Sequence, residues 1–280
     1  MALTLALSVG SMKVGAISTF AACAIISYSL NYIAFVPSYL ARTEHYFDLT
    51  GSVTTITLIV FAVASHGNPD ARSIMVALMV LVWAIRLGSF LFLRAKETGG
   101  DSRFDKIKQY PLSFLSWWSL QALWVLANIA CALTILTTKD NEPFGIFAVI
   151  GAALWVSGFA IEVIADQQKK KFRREAKNQG RFISTGLWSW SRHPNYFGEI
   201  LLWVGITVIA LPVLTGWRWI ALISPIFVIL LLTKISGIPI LERRAKSLWG
   251  NDEHYKIYAA NTPMLLPRPP KTKLTTATDY

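Results

Sequence analysis

Long apolar stretches separated by short polar ones run along the chain, and most of them have no polar face. Helices apolar all round belong in a core or a membrane, and those near ~20 residues have the length of a bilayer crossing. Seven such spans are expected, at roughly 14–36, 50–66, 73–93, 113–137, 144–165, 196–214 and 217–235. The second is short, and Ser27, Tyr28, Ser29, Asn31 and Tyr32 soften the first. Strong period-two alternation is absent, which argues against a barrel. In hydrocarbon, helices satisfy every backbone group within the segment. The pattern therefore predicts an all-α, polytopic membrane protein with about seven transmembrane helices.

The breaks between spans are of two kinds. Short loops carry Gly67-Asn68-Pro69 and Asn141-Glu142-Pro143; longer ones cover 94–112, 166–194 and the tail 236–280. Within the tail, LERRAKSLWGNDEHYKIYAA predicts an interfacial amphipathic helix broken near Gly250, and PRPPKTKLTTATDY reads as extended and mobile. No repeat divides the chain, so a single membrane domain over 1–280 is expected.

Composition agrees: 54% of residues are hydrophobic and 15% charged, with a mean hydropathy of +0.45, against about 25% charged in ordinary soluble domains. The net charge of +11 is unevenly placed. Lys13, Arg72, Lys139 and Arg218 fall on one side of a seven-span arrangement and Arg86 falls inside the third span. Every other lysine and arginine collects on the opposite side. The positive-inside rule then puts the N-terminus outside and the C-terminus in the cytoplasm, or in the matrix of a mitochondrion. Such cations also attract anionic lipid. Both cysteines, Cys23 and Cys131, lie in expected spans, so no disulfide framework is implied. No cleavable signal peptide is expected, because Lys13 follows the first apolar stretch rather than preceding it.

Candidate chemistry begins where the fifth span ends, in AIEVIADQQKKKFRRE. Glu162 and Asp166 share a helix face, and Lys169, Lys170 and Arg173 continue it at helical spacing. An acid mid-membrane costs about 2.5–3.5 kcal/mol on insertion scales. Snorkelling into the cytoplasm accounts for the lysines but poorly for Glu162, so a polar cavity is expected. The segment GLWSWSRHPNYFGE (186–199) then leads into the sixth span. Proline is favoured at the first helical position, so Pro194 is expected to start that helix with His193 near its N-cap. Free amides there favour an anion, Arg192 and His193 add positive charge, and Asn195 and Glu199 face one way. Gly198 permits close approach. Trp188, Trp190 and Tyr196 fit an interfacial aromatic belt. The histidines, His45, His66, His193 and His254, form no HxxxH pair, no CxxC occurs, and no metal site is expected. Neither GxGxxG nor a P-loop is present.

The segment from Trp155 to Glu199, with Glu162, Asp166, Phe172 and Arg173 followed by RHPNYFGE, resembles the steroid 5α-reductase-like membrane family, in a poorly characterised bacterial-type branch. YFDLTGS (46–52), IRLGSFLFLR (85–94), GDSR (100–103), GIPILE (237–242) and YKIYAANTPMLLP (255–267) extend the likeness over most of the chain. The family is related to sterol reductases and isoprenylcysteine methyltransferases. The resemblance implies a reductase that binds NADPH from the cytoplasmic side and transfers hydride to a C=C bond conjugated to a carbonyl in a hydrophobic, lipid-like substrate. Helices in 1–112 would form the substrate side, and 113–280 the cofactor-binding half. Carried over, Asp166, Lys170 and Arg173 would meet ribose and phosphates, with Glu162 one turn before. Asn195 and Glu199 would lie beside the nicotinamide end, Arg192, His193 and Tyr196 would complete the wall, and Arg243 or Arg244 would reach a phosphate. The chain departs from the family where a third-helix tyrosine is expected, which is Trp83, and where Glu162 replaces an asparagine. The nearest N-terminal catalytic acid is Glu44, with Asp48 behind it; both also suit capping of the second helix.

Two other functions fit parts of this pattern. A methyltransferase using S-adenosylmethionine would share the RHP-x-Y start, but the cations of 169–192 suit a polyanionic dinucleotide better. A non-catalytic subunit of a larger membrane assembly would explain Trp83. Membrane lipids are expected partners, other membrane subunits belong to that last alternative, and no nucleic acid is expected.

Overall fold

The computed structural model describes residues 2–98, 104–139 and 143–270. The GDSR stretch, loop residues 140–142 and the end segment 271–280, expected above to be mobile, lie outside the described residues. The elements run α1 (Ala2–Ser8), β1 (Lys13–Val14), β2 (Ile17–Ser18), α2 (Thr19–Leu40), α3 (Phe47–His66), α4 (Ala71–Thr98), α5 (Phe104–Ile107), α6 (Pro111–Asn128) and α7 (Ala130–Thr137). They continue with α8 (Ile146–Arg174), α9 (Pro194–Ala210), α10 (Ile223–Leu230), α11 (Ile238–Trp249) and α12 (Glu253–Asn261). Six helical stretches are long and apolar enough to cross a membrane, α2, α3, the part of α4 up to Leu93, α8, Pro194–Val213 and the run Gly216–Trp249 that contains α10 and α11, or seven if α6 and α7 count as one bent span. The all-α polytopic membrane architecture is therefore what the chain adopts, apart from the small β1–β2 hairpin. The chain divides into two compact units, Met1–Ile150 with Ile206–Ser224, and Gly151–Gly205 with Pro225–Tyr280.

In the first unit the helix ends are set by short polar residues. Ser18 accepts a hydrogen bond from the Ala21 amide at the start of α2, and Asp70 Oδ1 accepts one from the Ser73 amide at 2.7 Å at the start of α4. Gly67, with φ +75, follows the last residue of α3 in a conformation other residues resist. Sequence pattern gives one straight span over 113–137; the structure bends by 60° between α6 and α7. No proline or glycine lies at the bend, where Ile129 takes φ −95 and ψ 14. Neutral partners take up groups at the break. Ser224 Oγ donates to the Asn128 carbonyl, and Cys131 Sγ donates to the Ala221 carbonyl at 3.2 Å. Every residue of α7 is buried, as broken backbone in a membrane must be. Beside α3 and α6, Phe47, Phe104, Phe114 and Trp118 form an aromatic core.

The second unit is organised by close packing of α8 and α9. A Cβ placed on Gly158 would stand 2.6 Å from the Gly198 carbonyl oxygen and the Leu202 nitrogen. One on Gly198 would stand 2.5 Å from the Gly158 oxygen and 2.6 Å from the Glu162 nitrogen, and one on Gly205 2.6 Å from the Gly151 oxygen. The backbones touch, so only glycine fits at these positions. Small residues recur at heptad spacing on both helices: Gly151, Gly158 and Ala165 on α8, and Ser191, Gly198 and Gly205 at and along α9. The contacts at Gly158–Gly198 and Gly151–Gly205 fix which turns of the two helices meet.

Candidate functional site

The glycine register brings the first turn of α9 against the polar end of α8. Pro194 begins α9 as the sequence implies, and the Ser191 hydroxyl accepts from the His193 amide at 3.1 Å. One turn along from the Gly198–Glu162 contact, Asn195 Nδ2 donates to Asp166 Oδ1 at 3.2 Å. Glu162 and Asp166 are buried, at 2% and 8% exposure, and His193 joins them at 5%. Three ionisable side chains sealed at one helix crossing are costly in an apolar setting, which makes this crossing the candidate site.

The loop between α8 and α9 is held from both sides. On one side, Trp188 Nε1 donates to the Ala165 carbonyl at 3.0 Å, Gln168 Oε1 accepts from the Leu187 amide at 3.0 Å, and the Lys169 ammonium sits 4.3 Å from the Trp188 ring centre. On the other, tail residues grip the motif. The Arg192 amide donates to the Pro263 carbonyl at 2.9 Å, Ser191 Oγ donates to Leu265 at 2.9 Å, and the Tyr258 hydroxyl donates to Trp188 at 2.7 Å. Burial pushes the Tyr258 hydroxyl well above the usual tyrosine range, so it stays a donor. The tail is two helices, α11 and α12, broken around Gly250.

The residue that sequence reasoning missed is Glu242. Its Oε2 lies 2.6 Å from Arg192 Nη1 and its Oε1 lies 2.7 Å from His193 Nε2. The anion that Arg192 and His193 meet is thus supplied by the protein itself. Only the GIPILE stretch gave a signal, because Glu242 stands at the boundary between an apolar run and a basic one. The imidazole of His193 also lies nearly parallel to the Tyr196 ring, with centres 5.7 Å apart. Desolvation by burial lowers the His193 pKa, and the Glu242 hydrogen bond opposes it.

The remaining sequence candidates fall in several places. Glu199 is half-buried one turn after Asn195. Lys170 lines a shallow open depression with Gln167, Lys171, Arg174 and Glu175. Arg173 is exposed on the last turn of α8, and Arg243 and Arg244 are exposed on α11. In the first unit, buried Glu44 accepts from Lys108 Nζ at 2.9 Å. At the start of α3 the N-cap residue is Tyr46, and the Phe47 amide donates to the Glu44 backbone carbonyl at 2.9 Å.

Comparison with known proteins gives a family and little more. Residues 34–262 match the model of a family described as "Protein of unknown function (DUF1295)", and the chain belongs to that family. An uncharacterised protein of Schizosaccharomyces pombe is 27% identical over 191 residues. The match covers 56% of this chain and 56% of that relative, so the chain spans about half the length of the curated relative it matches. No solved structure matches the chain.

Proposed function

We propose that this member of the family is an NADPH-dependent membrane reductase that delivers hydride to an activated C=C bond of a steroid- or lipid-like substrate. The observation that carries the reading is the meeting of Asp166 and Asn195 at the glycine-packed crossing of α8 and α9, immediately before a run of cations. The likeness of RHPNYFGE and its surroundings to steroid 5α-reductase-like proteins supports it.

The residues fit such a cofactor. Among the described residues, Nδ1 of His193 and Nε of Arg192 are buried without a hydrogen-bond partner, one imidazole nitrogen and one guanidinium donor beside the crossing. Buried polar atoms are nearly always satisfied, so a polar ligand reaching the first turn of α9 would complete them. Asp166 and Asn195 would bond ribose and amide groups. Because Glu242 already engages Arg192 and His193, the phosphates would fall to Lys170, Lys171 and Arg173, outside that ion pair. Bound NADPH would supply the hydride. The protein would supply orientation, through the fixed α8–α9 register, and a site where charge developing on the substrate carbonyl meets fixed donors. Orientation of the chain with its basic loops toward the cytosol or matrix would present the site to soluble NADPH.

The test uses purified full-length protein in detergent. A ligand that binds only the folded state stabilises it, by about 2.7 kcal/mol at 100 times its Kd. NADPH is expected to raise the melting temperature of the wild type and to be consumed when conjugated enones are added. Asn195→Ala should lose most of that stabilisation, and Arg173→Ala should lose the preference for NADPH over NADH. Equal stabilisation by NADPH in all three proteins would defeat the cofactor reading. Stabilisation without turnover would favour the non-catalytic subunit.

A further inference from the structure

The hydrogen bonding around Glu242 is dictated by what each group can do. Arg192 can only donate, so Glu242 Oε2 accepts from it at 2.6 Å. An ionised carboxylate has no hydrogen to give, so Oε1 also accepts, and His193 Nε2, at 2.7 Å, must carry the hydrogen. A neutral imidazole protonated at Nε2 has its lone pair on Nδ1. Burial favours that neutral form. The side chain is 6% exposed and Nδ1 is the atom without a partner among the described residues. Nδ1 is therefore a sealed acceptor lacking a donor.

We propose that Glu242 is a positioning residue that locks His193 in the Nε2–H tautomer, so that Nδ1 accepts a hydrogen bond from a hydroxyl or amide N–H of the ligand held at the first turn of α9. The identity of that ligand rests on the cofactor reading above; ribose hydroxyls and a carboxamide are donors of the required kind. The tautomer lock does not rest on it. Glu242 acts only through His193 and need not touch the ligand.

The isosteric variant Glu242→Gln discriminates. An amide has one oxygen, and because Arg192 can only donate, that oxygen must face Arg192. The amide nitrogen then faces His193 Nε2 and donates to it, which moves the imidazole hydrogen to Nδ1. Nitrogen NMR of histidine-labelled full-length protein at neutral pH, without added nucleotide, reads this directly. The His193 signals are assigned by their loss in His193→Asn. The expected result is Nε2–H in the wild type and Nδ1–H in Glu242→Gln. Binding of NADPH should weaken by about tenfold or more in the variant, because two donors then face each other. An Nδ1–H tautomer in the wild type, or an unchanged tautomer in the variant, overturns the proposal. If Glu242→Gln does not fold, the wild-type spectrum still decides. The outcomes separate cleanly from those of the cofactor reading. A wild type with the Nε2–H tautomer but no affinity for NADPH sinks the reductase and leaves the lock standing. A wild type that binds NADPH with the opposite tautomer does the reverse.

Discussion

Both units bury ionisable side chains, but the first buries Arg72 and Glu44 singly, far apart in sequence, whereas the second gathers Glu162, Asp166 and His193 at one helix crossing. The neutral polar groups that the first unit seals, among them Ser27 and Asn31, serve the backbone. Ser27 Oγ donates to the Ala122 carbonyl at 3.0 Å, and Asn31 Nδ2 donates to the Ser27 carbonyl at 2.9 Å. The ionised residues there, Arg72 with Asp70 and Glu44 with Lys108, pair close to helix ends. Neutral hydrogen bonds between helices are modest glue. Buried acids carry an insertion cost that packing alone does not repay. The contrast is the physical ground for the proposal that function belongs to the second unit and scaffold chemistry to the first.

The strongest test of the contrast is Gly198→Ala. A Cβ there would meet backbone of α8 at 2.5 Å and 2.6 Å, and backbone cannot rotate away as a side chain can. Overpacking costs about 1–3 kcal/mol and sometimes more, so a loss at or above the top of that range is expected, read as a fall in melting temperature in nanodiscs. The NADPH stabilisation should fall with it, because the substitution separates Asp166 from Asn195. An alanine tolerated without either effect would mean that the α8–α9 register does not build the site.

How much of this was legible beforehand follows the physics of each feature. Helix number and the start of α9 were readable because apolar length and Pro194 are local signals. The basic loop and the Glu162/Asp166 stripe were readable because helical spacing places them. The bend after Asn128 was not, since no proline or glycine announces it and its stabilising partners, Ser224 and Ala221, are distant in sequence. Glu242 was hidden for the same reason: its partners lie 49 and 50 residues away. The neighbouring Arg243 and Arg244 drew attention as candidate phosphate ligands, yet both are exposed. The heptad of glycines was visible in the string, but its meaning required knowing that α8 and α9 are the helices that touch.

A middle-sized effect is expected from Glu44→Gln in the first unit. Glu44 is 6% exposed at its side chain and Lys108 22%, so the pair is neither a surface pair nor a fully buried one. The variant leaves the partly buried ammonium with only the exposed Asp105 carboxylate, 3.2 Å away, as its anion, which should cost about 1 kcal/mol, below the range for fully buried pairs. The hydrogen bond from Glu44 is the main cause that raises the Lys108 pKa above its ordinary value of 10.5. A raised lysine pKa contributes stability that is fully present below the unfolded value and is lost as pH rises through the folded one. The wild type should therefore lose stability above pH 10.5, and the variant should lose less over the same window. NADPH stabilisation should be retained. Its disappearance would move Glu44 from scaffold to site and blur the contrast between the units.

The smallest effect belongs to Asn31→Leu. Asn31 is fully buried and donates to Ser27 and, at 3.4 Å, to Thr54, while its Oδ1 has no partner among the described residues. Replacing it with an apolar side chain of the same branching removes two hydrogen bonds, each worth about 0.6 kcal/mol on average in a membrane, and it also removes one unsatisfied acceptor. The two changes oppose each other, so a shift within about 1 kcal/mol of zero is expected, with NADPH stabilisation unchanged. A loss of several kcal/mol would show that Asn31 Oδ1 is bonded to something the contact geometry of the chain does not supply. Loss of nucleotide binding without loss of stability would place a ligand group at Asn31, and the first unit would then share the chemistry assigned to the second.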